Sequence, residues 1–425
     1  MGERLRFLLN RLAERLWVKP LAMCILSVAG VLLARMADRT ELSNVVPDIT
    51  VDSIASLLNV MAASMLMIAT FAVGSMVSSY ASASSKATPR SFMVVVADDV
   101  SQNALSTFIG AFIFSIVGLV AVSNGYYGEA GRFTLFALTL IVLASVVVTF
   151  VRWVDRIARL GRLGSIVDKV EKATADALRQ RRRTPTLRGL NVEPREHEGE
   201  PVCGSEVGYV QRVDVTELQK QAEELELRVR VAALPGTFVA PGRILAYVFS
   251  ESTTLTDADA ARIRSAFVIG GGRKFDADPR FGLVVLSEIA VRALSPAVND
   301  PGTAIDVIGT FVRLFALWGE PLAKDEIKIG TCDRVEVPEV LLADMFDDAF
   351  PAIAREGAGA IEVAVRLQKA FASLAEVGSE EMRQLARQHA RLALARSEQK
   401  LDFADDLKIL REVAGPVVLD EQKRR

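Results

Sequence analysis

The chain has 425 residues, enough for two to four domains, and its 50 Lys and Arg nearly balance 52 Asp and Glu. That balance excludes a broadly basic nucleic-acid binder and an acidic tail as descriptions of the whole chain. Three Cys and two His leave little for a disulfide framework or a zinc cluster. Hydrophobic content of 51% beside 24% charged residues points to two materials joined end to end.

The apolar material comes first. Residues 1–16 place Leu5, Leu8, Leu9, Leu12 and Leu16 at helical spacing, with Arg4, Arg11 and Arg15 among the polar positions. This pattern fits an amphipathic helix on the inner leaflet, or a cytosolic extension of the span that follows. Four apolar runs fill residues 17–154. They are Trp17 to Ala34, interrupted by Lys19; Ser53 to Ser85; Val100 to Gly128; and Phe133 to Val151. A hydrocarbon core of ~30 Å needs about 20 apolar helical residues, so each run predicts a transmembrane helix. Lys19 can snorkel and Trp17 can sit at the interface, which lengthens the short first span. The sequence after it, Leu33-Ala34-Arg35-Met36-Ala37, is a poor cleavage site, so the span reads as an uncleaved anchor.

Lys and Arg set the orientation. Arg4, Arg6, Arg11, Arg15 and Lys19 precede span one, and Arg152, Arg156, Arg159 and Arg162 follow span four. The loop after span one carries four acids against two arginines, whereas the loop between spans two and three carries Lys86 and Arg90. The expectation is that both termini lie in the cytoplasm and that most of residues 155–425 are cytosolic.

Span two is longer than a bilayer requires. Its 33 uncharged residues would make ~50 Å of helix. Thr70, Gly74, Ser78 and Ser82 recur every four residues along one face. Small residues at this spacing either pack helices closely or line a polar path in an oligomer. Gly110, Ala111, Ser115 and Gly118 repeat the theme in span three. Asp98, with Asp99, Gln102 and Asn103, stands at the entrance to span three, where it attracts cations or caps a helix. No ionisable residue lies centrally in a span, which argues against a proton relay.

Residues 155–205 read as a basic helix to about Arg183, then a polar linker from 184. The run Arg179–Arg183 suits anionic headgroups or a solvated helix end. Residues 206–250 predict a small β-domain. Leu225, Leu227, Val229 and Val231 alternate with charged residues, and Val207–Val215 is expected to pair with that strand. Pro235-Gly236 and Pro241-Gly242 predict turns. Residues 251–425 read as helical. Thr256 and Asp259 open a helix that ends before Gly270. Another covers Phe281–Leu294. Asp300 and Pro301 open a third, which runs to Trp318. A long charged helix is expected from about Ser379 to Val413. The fold class is therefore a four-helix transmembrane part followed by a cytosolic α+β region, with a small β-domain and a helical C-terminal part.

The segment Arg292-Ala293-Leu294-Ser295-Pro296-x-x-Asn299-Asp300-Pro301-x-Thr303-Ala304 is similar to the signature of a bacterial membrane family, domain of unknown function 2254. Pro89-Arg90, Asp98, Gln102, Phe108, Gly110 and Phe112 also resemble it, as do Gly208-Tyr209-Val210-Gln211, Gly236-x-Phe238-Val239 and Gly272-Arg273. The chain departs from the family at Lys274–Asp278 and at Ala297. The resemblance implies the architecture above and supplies no activity.

Gly270–Lys274 offers backbone amides and the cations Arg273 and Lys274, an anion cradle that Arg292, Asn299 and Asp300 would complete. The alternative is helix capping with one buried ion pair. Walker spacing is absent, and neither His197 nor His389 accompanies a Ser or Cys motif. Cys24, Cys203 and Cys332 are too scattered for a metal set. No enzyme and no cofactor is expected. Two functions are carried forward. One is a homo-oligomeric channel- or transporter-like protein gated by its cytosolic domain, with Thr70, Gly74, Ser78, Ser82, Asp98 and Gln102 lining or packing the spans. The other is a non-transporting sensor or scaffold that binds a partner or a small anionic ligand. The expected partners are the lipid bilayer and further copies of the chain, not nucleic acid.

Overall fold

The computed structural model describes residues 18–39, 47–86, 88–91, 99–159, 163–195, 199–250, 255–323, 325–328 and 330–418. The expected N-terminal amphipathic helix and Asp98 fall outside them. The chain divides into two compact units, Met1–Ile166 and Val167–Arg425.

The first unit is helical. Helix α1 is Val18–Ala34, followed by a 3-10 turn at Arg35–Arg39; α2 is Val51–Lys86, α3 Asp99–Ser123 and α4 Glu129–Arg159. Pro20 sits in the first turn of α1, where a missing N–H costs no intrahelical bond. The apolar faces meet in two layers. Ile54, Leu58, Phe114 and Leu135 form one with Val31 and Ala34. Met65, Ala72, Phe108, Val146 and Trp153 form the other. At Gly110 the backbones of α1 and α3 come close. A Cβ built there would lie 3.0 Å from Met23 Cβ. The Ser27 hydroxyl lies 2.8 Å from both the Gly110 and Met23 carbonyls. Asp38 ties the end of α1 to the start of α4. Its carboxylate accepts from the Gly128 N–H at 2.9 Å and the Gly131 N–H at 2.6 Å. A negative charge on those first amides satisfies donors that the helix cannot. The Tyr127 hydroxyl adds a bond to the Val31 carbonyl at 2.7 Å.

Among the described residues, five helices are long and apolar enough to cross a membrane: Val18–Arg39, Val51–Ser79, Val100–Ser123, Glu129–Asp155 and Pro301–Gly319. The apolar runs of the sequence predict four. The fifth, Pro301–Gly319, belongs to the second unit. Its Val307, Ile308, Phe311, Leu314 and Phe315 are buried on one side. Its Arg313 pairs with Glu171 at 2.6 Å on the other. It has the two-faced pattern of a helix at the edge of a core.

The second unit begins in α5 (Leu163–Arg183). The basic end of this helix is engaged. Arg179 pairs with Asp176 at 3.0 Å, Arg182 donates to the Glu320 carbonyl, and Arg181 is buried. Arg179, Gln180 and Arg183 remain exposed, as a solvated helix end would be, whereas Arg181 is drawn into the core.

Among the described residues, seven strands form two sheets. β1 (Glu200–Cys203), β5 (Ile244–Phe249), β3 (Arg228–Val231) and β7 (Val335–Glu336) lie in that order, with β3 and β7 parallel. β4 (Phe238–Val239), β2 (Gly208–Val213) and β6 (Phe267–Gly270) form an antiparallel sheet. Val202, Val210, Val229, Val231, Leu245 and Val248 fill the core.

The expected pairing of 207–215 with 225–231 does not occur. Helix α6 (Val215–Glu224) intervenes, capped by Asp214, which accepts from the Glu217 N–H at 3.1 Å. The predicted capping box of Thr256 and Asp259 forms, but the helix it opens, α7 (Asp257–Ser265), ends at Ser265. The Phe267-Val268-Ile269 run then becomes β6, as its aromatic and β-branched residues favour. Part of the expected linker is also strand β1.

Helices α8 (Phe281–Ala293), α9 (Pro301–Gly319), α10 (Leu342–Ala349), α11 (Pro351–Glu356), α12 (Ile361–Val377), α13 (Glu380–Glu398) and α14 (Ala404–Val418) complete the unit. The single helix expected over 379–413 is two, because the Ser397 carbonyl turns to accept from Lys400 and Leu401. Phe311, Phe315, Phe346, Phe350 and Phe371 make an aromatic core, with the Phe315 and Phe346 centroids 4.6 Å apart. His389 is buried against it, 5.4 Å from the Phe346 ring.

Burial holds the His389 pKa below the usual imidazole value, against the pull of Asp347 at 3.5 Å and with help from Arg396. The unfolded chain then binds the proton more readily than the folded one. The resulting stability is present above about pH 6.5 and is lost as the pH falls toward the folded pKa. Thermal unfolding of the full chain is expected at a lower temperature at pH 5.5 than at pH 7.5. The difference should shrink in His389→Phe; an unchanged difference would contradict the assignment.

Candidate functional site

The site grows from one buried carboxylate. Asp278 precedes α8 and is 2% exposed. Its oxygens accept from Arg273 Nε at 2.6 Å and Nη2 at 3.1 Å, and from the N–H groups of Arg280 at 3.1 Å and Phe281 at 3.2 Å. Asp278 thus starts the helix and holds a guanidinium in a two-pronged pair. Burial pushes its pKa up, opposed by the bonds from Arg273 and the charge of Arg280. Arg280 itself reaches Asp348 at 2.6 Å and also Asp344. Arg181 lies within electrostatic reach of Asp278; burial lowers its pKa to about 10.

The sequence around Asp278 folds this way because the turn before β4 makes room. Gly236 has φ +94, and a Cβ there would lie 2.3 Å from Asp278 Oδ2. Its N–H bonds to the Val210 carbonyl at 2.8 Å. Gln211 reaches from β2 to the Gly272 carbonyl at 2.8 Å. The Tyr209 and Phe238 rings meet edge-on at 5.2 Å. Three separate stretches of sequence, 208–211, 236–239 and 272–273, therefore converge on one place. Beside them opens a cavity of about 600 Å³, with Val192, Leu234, Pro235, Arg273, Asp278, Arg280, Glu339 and Asp344 among its walls. Next to Asn191 and Pro338, the buried Glu336 is clamped by Arg230 at 3.0 Å and by Arg195.

The other expected ligand residues lie elsewhere. Arg273 and Lys274 precede α8, whereas Arg292, Asn299 and Asp300 lie at or beyond its far end, about 18 Å of helix away. The structure does not gather them into one cradle, and the Arg273 guanidinium is bound by Asp278. The 292–304 segment instead makes the connection between α8 and α9. The Ser295 carbonyl accepts from Asn299 at 2.8 Å, and Asn299 takes φ +49. Asp300 caps α9, accepting from the Thr303 N–H at 3.1 Å and its hydroxyl at 2.6 Å, with Pro301 following.

In the first unit, Thr70, Gly74 and Ser78 are exposed along α2. Thr70 donates back to the Leu66 carbonyl at 2.9 Å, and a Cβ on Gly74 would meet nothing within 4 Å. Among the described residues the stripe plays no part in packing within one chain, because Ile54, Leu58, Met65, Ala69 and Ala72 fill the opposite face. It also belongs to a longer seam: Ser56, Val60, Ala63, Met67, Thr70, Gly74 and Val77 alternate at four- and three-residue steps, and all are exposed. Gln102 is buried, apart from this face. Ser82 continues α2, and its side chain lies outside the described residues. Sequence reasoning passed over Asp38, Arg181 and Asp278. Asp278-Pro279 before an apolar helical run was the available signal for the last.

The family described as "Predicted membrane protein (DUF2254)" matches residues 13–373. Uncharacterized proteins of Mycobacterium bovis and Mycobacterium tuberculosis are 34% identical over 112 residues, covering 25% of this chain. The match spans 21% of those relatives' length. No solved structure matches.

Replacing Asp300 by Ala removes a cap and should cost about 1 kcal/mol. Denaturant unfolding that leaves the midpoint unmoved would contradict the cap. Gly236→Ala should cost more, since it strains φ and displaces Asp278. The check is a melting temperature lower than that of Asp300→Ala.

Proposed function

Given that the chain belongs to the DUF2254 family of predicted membrane proteins, we propose that it is a homo-oligomeric, channel- or transporter-like protein of the bacterial inner membrane. In this reading α1 to α4 span the bilayer, both termini are cytoplasmic, and the second unit is a cytosolic regulator. Helix α9 is counted as a core helix, since its apolar face packs on α8, α12 and the phenylalanine cluster.

One observation carries the reading. The exposed seam of α2 is rich in small and hydroxylated side chains where lipid would favour large apolar ones. Four- and three-residue spacing is the geometry of helices that pack along a shared seam. Ser56, Ala63 and Gly74 would let two backbones approach closely, and Thr70 and Ser78 supply hydroxyls beside that seam. Positive residues flanking the spans support the orientation. A second reading, a non-transporting sensor, draws on the 600 Å³ cavity of the second unit, which is of the size that small ligands occupy.

Purified protein in liposomes should pass small solutes or ions, and should run as an oligomer by native mass spectrometry. Gly74→Leu should break up the oligomer and abolish flux. A monomeric wild type, or an oligomer indifferent to Gly74→Leu, would contradict the seam. An intact oligomer with no flux would favour the sensor.

A further inference from the structure

The cavity beside Asp278 has a charge balance that defines what it can hold. Its walls carry two guanidiniums, Arg273 and Arg280, against three carboxylates, Asp278, Glu339 and Asp344. Both guanidiniums are taken. Arg273 is bound by the two oxygens of Asp278, and Arg280 by Asp344 and Asp348. Glu339 is exposed at the cavity and has no ion-pair partner among the described residues. Arg181 adds a cation near Asp278, and Arg195 and Arg230 together face Glu336, so the negative charge left open to the cavity is that of Glu339, and an anion would have to displace existing ion pairs.

The remaining walls are apolar and stiff. Leu234, Val340 and Leu341 supply aliphatic surface, and Pro235, Pro279 and Pro338 restrict the backbone around it. No aromatic ring is among the lining residues. That composition disfavours quaternary ammonium ions, which are held by ring faces. It favours a cation that donates hydrogen bonds to a carboxylate and lays a short aliphatic chain on the apolar wall.

We propose that this cavity is a binding site for a small aliphatic amine, whose ammonium group is held by Glu339. The proposal does not depend on whether the spans conduct. The volume of about 600 Å³ lies within the range of small-molecule sites.

The test is calorimetric titration of the full chain in phosphatidylcholine nanodiscs with cadaverine, one of whose two ammonium groups would sit on Glu339 and the other in solvent, and with choline and glutarate for comparison. Cadaverine is expected to bind one per chain, to weaken as salt is raised, and to bind more tightly than choline or glutarate. Glu339→Gln should weaken cadaverine about tenfold, the scale of one charge-assisted hydrogen bond, while leaving the melting temperature of the free protein unchanged. Leu341→Gln, which takes exposed aliphatic surface from the wall without adding charge, should weaken it as well. The proposal is overturned if cadaverine gives no saturable binding, if Glu339→Gln binds it as the wild type does, or if glutarate binds more tightly. Liposome flux is a separate readout, so loss of amine binding and loss of conduction remain distinguishable.

Discussion

The constraint on which the architecture rests is that buried backbone and charge must find partners inside the protein. In the first unit the constraint acts on the backbone. Segments that enter hydrocarbon have no water to bond their amides and carbonyls, so they close those bonds as helices. Helix ends are where such closure fails, and there the chain supplies local remedies. Asp38 takes the first free amides of α4, and Tyr127 takes a carbonyl near the end of α1. These contacts join the end of α1 to the turn between α3 and α4, so the short first helix is fixed at both its face and its end. In the second unit the same constraint acts on charge. A carboxylate as buried as Asp278 would be costly alone. Arg273 and two backbone amides compensate it, and the elements that supply them become fixed relative to one another.

This arrangement links the β part of the second unit to its helices. Gly236 comes from the turn before β4, Arg273 from the loop after β6, and Arg280 from the start of α8. Helix α8 leads from there to the 292–304 connection and on to α9. A change in what occupies the cavity would bear on the ion pairs that set the start of α8.

The sequence was most legible where one physical signal dominates. Uncharged apolar runs gave the helices of the first unit, and Asp300-Pro301 gave the start of α9. It was less legible where two signals compete. Phe267–Gly270 follows a well-capped helix with no break residue between them, and it is the pairing with β2 that makes it a strand. Helix α6 was hidden because Val215–Glu224 is polar, with only Val215, Leu218 and Ala222 making a narrow apolar stripe. The break at Gln399–Phe403 lacks Gly and Pro altogether. Long-range placement was the least legible. Gly208, Gly236 and Gly272 lie far apart in the chain, and only the fold brings their segments to Asp278, whereas Arg292 and Asp300, close to Arg273 in sequence order, end up at the far end of a rigid helix.

The central claim is that the first unit is threaded through a bilayer with the second unit inside the cell. Single cysteines at Asn124, between α3 and α4, and at Gln399, between α13 and α14, in a chain whose native cysteines are replaced, test it most directly. In intact spheroplasts a membrane-impermeant maleimide should label the cysteine at 124 and leave that at 399 unlabelled until the cells are lysed. Labelling at 399 in intact spheroplasts, or protection at 124, would contradict the account.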